Sequence, residues 1–248
     1  MSKIKLANTH TTAPKGFDKE NTKAKTAELI EELDELQNLL YAESKHSILI
    51  IVQGMDASGK DGATRNVFGH LNPQGVNVAS FKVPTAEELS HDFLWRIHKQ
   101  VPKKGMIQIF NRSHYEDILI TRVHKMIDDK TAKQRMKAIN DFEELLTLHN
   151  NTHILKFYLH ISPQEQQLRL KERLKDPRKM WKYNENDLKE AKLWDIYMKV
   201  YQDCFDHCNT VPWTITPSDQ NWYKEHVIAT GIHKLLTSLK MQYPGVKK

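Results

Sequence analysis

Ser47-Ile48-Leu49-Ile50-Ile51-Val52-Gln53 runs directly into Gly54-Met55-Asp56-Ala57-Ser58-Gly59-Lys60. The first seven residues read as a buried strand, and Lys60 to Leu71 reads as a helix. Between them lies G-x-x-x-x-G-K, the core of a Walker A loop, in the strand–loop–helix setting that gives the motif its meaning. The glycines let the backbone wrap so that N–H groups point inward. The helix adds its positive end and Lys60 a mobile charge, which together make a cradle for phosphates. Phosphate contacts are expected from Gly54, Ala57, Ser58, Gly59 and Lys60, with Asp61 and Gly62 continuing into the helix.

Two carboxylates are unusual here. Asp61 stands where Ser or Thr normally helps bind Mg²⁺, and Asp56 lies inside the loop. Both would repel a phosphate unless a cation lay between, so the loop implies Mg²⁺, with Mn²⁺ as a substitute. The plainer readings are an Asx turn at Asp56 and an i, i+4 pair between Asp61 and Arg65.

Outward from the loop, strands and helices alternate, the signature of a parallel sheet with crossover helices. Further strands are expected at Val76–Lys82, Gly105–Phe110, His153–Ile161 and Val211–Ile215, making five. Thr85 and Glu88 form a capping box for a helix through Val101, and Ser162, Pro163 and Glu165 open another. A long helix is expected through Asp206, and a last one to Met241. Residues 1–24 read as a flexible arm or a strap on the body, and 25–248 as one domain with a lid at about 176–190. Leu29, Ile30, Leu33, Leu36, Leu39 and Leu40 recur at helical spacing, a face that suits either the sheet or a second subunit of a homo-oligomer.

Ligands in parallel sheets gather at the strands' carboxyl ends, which brings Asn111-Arg112-Ser113-His114-Tyr115-Glu116-Asp117 opposite the loop. Arg112 suits a transferring phosphoryl group, and Glu116 or Asp117 a metal held through water. Alternatively, Asn111 caps a helix and Arg112 pairs with Asp117. Arg178, Lys179 and Lys182, around Trp181, read as a lid over phosphates or as a solvated basic face. Lys82, Arg96, Lys103 and Lys104 would extend a positive track suited to a long polyanion. Against this, Asp92–Arg96 fits a helical pair and Lys103-Lys104 an exposed turn. Arg122 is counted with the phosphate-binding positions.

The 248 residues carry a net charge of +6, which favours polyanionic partners in general. No stretch approaches the roughly 20 apolar residues of a membrane span, and no signal peptide follows Met1, so the expected location is the cytoplasm. Cys204 and Cys208 lie one helical turn apart, as free thiols rather than a disulfide framework. No nucleic-acid-binding signature is present.

These blocks, together with His91-Asp92-Phe93-Leu94-Trp95-Arg96 and Trp181-Lys182, resemble the polyphosphate kinase 2 family from about Leu36 to Phe205. The resemblance implies a thymidylate-kinase-like P-loop fold and Mg²⁺-dependent phosphoryl transfer between inorganic polyphosphate and the nucleotides AMP, ADP and ATP. It implies that Lys60 and Arg112 contact phosphates, that Asp56 binds metal, and that Arg178 and Lys182 act from the lid. Asn111 departs from members with Asp there, which puts a direct metal ligand at that position in doubt. The Asn-Arg-Ser-His-Tyr-Glu-Asp form looks like the class III members, which accept both AMP and ADP. The rival readings are an ATP-dependent nucleoside or nucleotide kinase and a non-enzymatic polyanion-binding protein.

Overall fold

The computed structural model describes residues 4–245. Strands β1 (Ser47–Gly54), β2 (Val76–Ala79), β3 (Ile107–Asn111), β4 (Thr152–His160) and β5 (Trp213–Pro217) form one parallel sheet in the order β2-β3-β1-β4-β5. This is the expected five-stranded sheet of a P-loop kinase fold. In chain order the helices are α1 (Lys19–Glu43), α2 (Lys60–Phe68), α3 (Ala86–Leu89), α4 (Trp95–His98) and α5 (Ile120–Val123). They continue with α6 (Asp129–Asn150), α7 (Pro163–Lys175), α8 (Glu185–Ala191), α9 (Trp194–His207) and α10 (Asn221–Ser238).

β1 is central and every residue in it is buried, because helices cover both faces. Ile48, Ile50 and Val52 point into one layer, with Leu33 and Leu40 of α1, Val67 of α2 and Ile228 and Ile232 of α10. Leu49 and Ile51 point into the other, with Met136 and Phe142 of α6 and Tyr201 and Phe205 of α9. The apolar stripe of α1 is therefore used within the chain, where α1 packs along α10.

Several boundaries differ from expectation for local reasons. α1 starts at Lys19, where the Asp18 side chain accepts from Asn21 N. Before it, Leu6 is buried and its N–H donates to Gln202 Oε1, while the Thr11 hydroxyl donates to Asp219 Oδ2. β2 stops at Ala79 rather than Lys82, since its pairing with β3 ends at Phe110. The capping box at Thr85 and Glu88 is present, but the helix expected through Val101 breaks after Leu89. There Ser90 Oγ donates to Glu87 O, and the Asp92 carboxylate takes the Leu94 N–H, diverting the backbone. The long helix expected through Asp206 is likewise two, α8 and α9.

Cys204 and Cys208 are free and buried in the core. Among the described residues, no helix is long and apolar enough to cross a membrane.

Candidate functional site

The loop between β1 and α2 lies at the carboxyl edge of the sheet, beside the ends of β3 and β4. Gly54 has no room for a side chain: a Cβ would come within 2.9 Å of the Leu159 carbonyl. Gly59, at φ 92°, turns the chain into α2 through the left-handed region that glycine tolerates. Lys60 is buried, and its ammonium donates back to the carbonyls of Gly54 (2.7 Å) and Met55 (3.1 Å). Burial depresses its pKa, and the Asp56 charge partly offsets this.

Facing the loop, Arg112 has a positive φ of 67°, and its Nη2 donates to Asp56 Oδ1 at 3.0 Å. Burial works against the guanidinium charge, yet Asp56 and Glu116 together raise its pKa. Asn111 Nδ2 donates to Asp61 Oδ1 (2.9 Å), and Lys182 Nζ reaches Asp61 Oδ2 (2.8 Å) from the 3₁₀ turn Met180–Lys182. Burial alone would raise the Asp61 pKa, but these hydrogen bonds and the Lys182 and Lys60 charges bring it to about 2. Glu116 sits in the 3₁₀ turn His114–Asp117, beside the Gln53 amide, whose nitrogen donates to its Oε1 at 3.0 Å once the amide is turned to satisfy both of its ends. Its pKa is raised by burial, with Arg112 and Lys60 pulling the other way. A cavity of about 50 Å³ is lined by Asp56, Lys60, Arg112 and Glu116 and closed in part by Tyr197 and Tyr201 of α9.

The structure thus gathers Asp56, Lys60, Asp61, Arg112, Glu116 and Lys182. It does not gather every expected residue. Arg178 is exposed and paired with Asp176 (3.1 Å), and Lys179 pairs with Glu172 (2.9 Å). Arg96 is buried against Asp117 (3.4 Å) and donates to the Lys82 carbonyl (2.9 Å), which leaves no pair with Asp92 and takes Asp117 from Arg112. Arg122 lies between Asp129 (3.0 Å) and Asp203 (2.9 Å). Lys82 is exposed just beyond β2. Lys103 and Lys104 precede β3 and so lie at the amino end of the sheet, away from the loop, which shortens the expected track. Among the described residues no three carboxylate, histidine or cysteine side chains form a metal cage.

Other contributors gave no sequence signal. Gln166 and Arg169 of α7 and Lys224 of α10 bond the loop from outside, although none belongs to a motif. Conversely, His114 and Tyr115, central in the Asn111 block, are buried. Tyr115 Oη donates to Glu143 Oε1 (2.7 Å) and accepts from Lys156 Nζ (2.7 Å), which also donates to Glu143 Oε2 (2.8 Å). The middle of that block anchors the turn, and Arg112 and Glu116 on either side of it line the cavity.

Comparison with known proteins agrees with this geometry. The chain is 47% identical over 214 residues to an AMP/ADP-polyphosphate phosphotransferase of Meiothermus ruber, covering 86% of this chain and 80% of that one. It is 42% identical over 229 residues to an ADP-polyphosphate phosphotransferase of Rhodopseudomonas palustris, covering 87% and 79%. The crystal structure of polyphosphate kinase 2 from Arthrobacter aurescens TC1 superposes with a TM-score of 0.96 at 41% identity, over 100% of this chain and 90% of that one. The family model described as polyphosphate kinase 2 (PPK2) matches residues 16–247. With the family model matching nearly the whole chain and relatives above 40% identical across most of both lengths, the chain belongs to the polyphosphate kinase 2 family.

Proposed function

We propose that this enzyme transfers a phosphoryl group between inorganic polyphosphate and ADP or AMP, with Mg²⁺, in the cytoplasm where those nucleotides are available. The observation that carries the reading is the convergence of three cations on one phosphate-binding loop, Lys60 on its carbonyls, Arg112 on Asp56 and Lys182 on Asp61. The names of the Meiothermus and Rhodopseudomonas relatives supply the donor and acceptors.

Each cation has an internal partner that a phosphate would outcompete. Lys60 holds two carbonyls, Arg112 holds Asp56, and Lys182 holds Asp61. Phosphate oxygens form stronger charge-assisted bonds than carbonyls do, and a guanidinium grips them in pairs. The partner exchange turns the cations toward substrate and frees the carboxylates. Asp56 and Asp61, with Glu116 nearby, would hold Mg²⁺, which takes one or two carboxylates plus substrate phosphates rather than a cage made only of protein. Bound there, the ion would neutralise charge on the phosphate oxygens. Hard carboxylate oxygens also suit Mn²⁺.

A terminal phosphate oxygen of ADP or AMP attacks the last phosphorus of the chain. The new P–O bond forms as the bond to the neighbouring bridging oxygen breaks, and the shortened polyphosphate leaves with that electron pair. The attacking oxygen is already ionised, so positioning and charge stabilisation suffice and no protein base is needed. Lys60 and Arg112 face the developing charge. The cavity of about 50 Å³ is far smaller than a usual ligand pocket of about 300–1,000 Å³, so the lid must move to admit reactants. That motion is what would bring Arg178 and Lys179 toward phosphate.

The test is to incubate the purified protein with Mg²⁺, ADP and polyphosphate in the absence of ATP, and in parallel with AMP. Formation of ATP and of ADP that requires polyphosphate supports the reading. Reaction only when ATP is the donor to a nucleoside monophosphate overturns it in favour of an ordinary nucleotide kinase. The Lys60→Ala protein controls for contaminating adenylate kinase.

A further inference from the structure

The motif explains why the loop can curl, but not what turns its peptides the right way. In the structure every carbonyl from Gly54 to Gly59 meets a side-chain donor. Lys60 takes Gly54 and Met55. Gln166 Nε2 donates to Asp56 O at 3.0 Å. Arg169 Nη1 donates to Ala57 O (3.1 Å) and Ser58 O (3.2 Å). Lys224 Nζ donates to Ser58 O (3.4 Å) and Gly59 O (3.3 Å). Apart from Lys60, these donors come from α7 and α10, more than 100 positions along the chain from the carbonyls they hold.

Their own placement is fixed. Arg169 Nη2 donates to the carbonyls of Ser218 and Asp219 (both 2.8 Å), and its Nε to Glu165 Oε1 (2.8 Å). Lys224, 1% exposed, also donates to Asn221 Oδ1 at 2.8 Å. A peptide carbonyl and the N–H of the same peptide unit point in opposite directions. Donors that draw the Asp56, Ser58 and Gly59 carbonyls outward therefore aim the N–H groups of Ala57, Gly59 and Lys60 inward, where an anion binds, while the Ser58 N–H donates to Met55 O. None of these bonds involves the Lys60 side chain, so none need break for Lys60 to turn to a phosphate.

We infer that Gln166, Arg169 and Lys224 form an outer clamp that sets the inward orientation of the loop's N–H groups, and so act as positioning residues for the oligophosphate substrate. The inference rests on the function proposed above. Arg169 is the centre of the clamp, because it holds two loop carbonyls and also the carbonyls of Ser218 and Asp219 just after β5.

The experiment compares wild type with Arg169→Gln, Arg169→Lys and Lys224→Met. It measures tripolyphosphate binding by calorimetry with Mg²⁺, steady-state kinetics with polyphosphate, and thermal unfolding. Tripolyphosphate affinity should fall about 10- to 100-fold in Arg169→Gln and Lys224→Met, by analogy with the loss when groups that orient metal ligands are removed. KM for polyphosphate should rise and kcat fall together. Arg169→Lys should recover only part of the affinity, since an ammonium cannot bridge four carbonyls as a planar guanidinium does. Guanidinium ion added to Arg169→Gln should restore activity toward wild type.

Variants that unfold at lower temperature yet bind tripolyphosphate with wild-type affinity would overturn the clamp, for that is the mark of a structural residue only. Should Arg169→Gln fail to fold, Lys224→Met decides by the same affinity criterion. Wild type that binds no tripolyphosphate would instead sink the proposed function, a different outcome from wild type that binds while the variants bind equally well.

Discussion

At the scale of single residues, the site is a set of charges already paired with one another. Lys60 was readable from the motif, and its role has a direct test. Lys60→Ala should lower kcat by about 10²- to 10³-fold, as for loss of one preorganised donor, while circular dichroism stays that of wild type. A folded variant with normal turnover would remove Lys60 from the mechanism. Asp61 was read as a metal ligand or as a partner of Arg65; Lys182 and Asn111, rather than Arg65, hold it in the structure. Its pKa of about 2 lies below the ordinary 3.8, so the pair's stabilisation is in full force above about pH 4 and is lost as pH falls through 2. Carboxyl NMR should show Asp61 ionised at pH 3, and Lys182→Ala should move its midpoint upward. An unchanged midpoint would mean that the lid contact is not formed in solution.

At the scale of elements, local rules carried the strand–loop–helix unit, the capping box at Thr85 and the opening of α7. They failed where short polar side chains bonded the backbone, as at Ser90 and Asp92, because such diversions compete with helix on equal terms. They also missed Lys156. A lysine within a strand reads as one solvated position, yet this one is fully buried and ties β4 to Glu143 of α6 and to Tyr115 beside the site. Replacing it with methionine strands a buried carboxylate. Lys156→Met should cost about 3–5 kcal/mol in urea unfolding, and adding Glu143→Leu should recover part of the loss. A single variant as stable as wild type would show that the pair carries no such weight.

At the scale of the whole molecule, the loop lies between two helical layers that pack on opposite faces of β1, and Lys182 bonds to Asp61 at the start of α2. A ligand that binds the folded state alone raises stability by about 2.7 kcal/mol at one hundred times its dissociation constant. Tripolyphosphate with Mg²⁺ should therefore raise Tm in wild type and have little effect in Lys60→Ala. Equal shifts in both would place the anion elsewhere. The sequence by itself determined the parallel sheet and the phosphate loop, since apolar periodicity and glycine spacing act within a few residues of chain. Only the tertiary structure decided which cations reach that loop. Lys182 contacts Asp61 across 121 positions, and Lys224 meets Gly59 across 165, whereas Arg178, four residues from Lys182, turns to Asp176. The physical reason is that a charged side chain takes whatever partner the packing of its element brings within about 3 Å, and sequence spacing does not fix that packing.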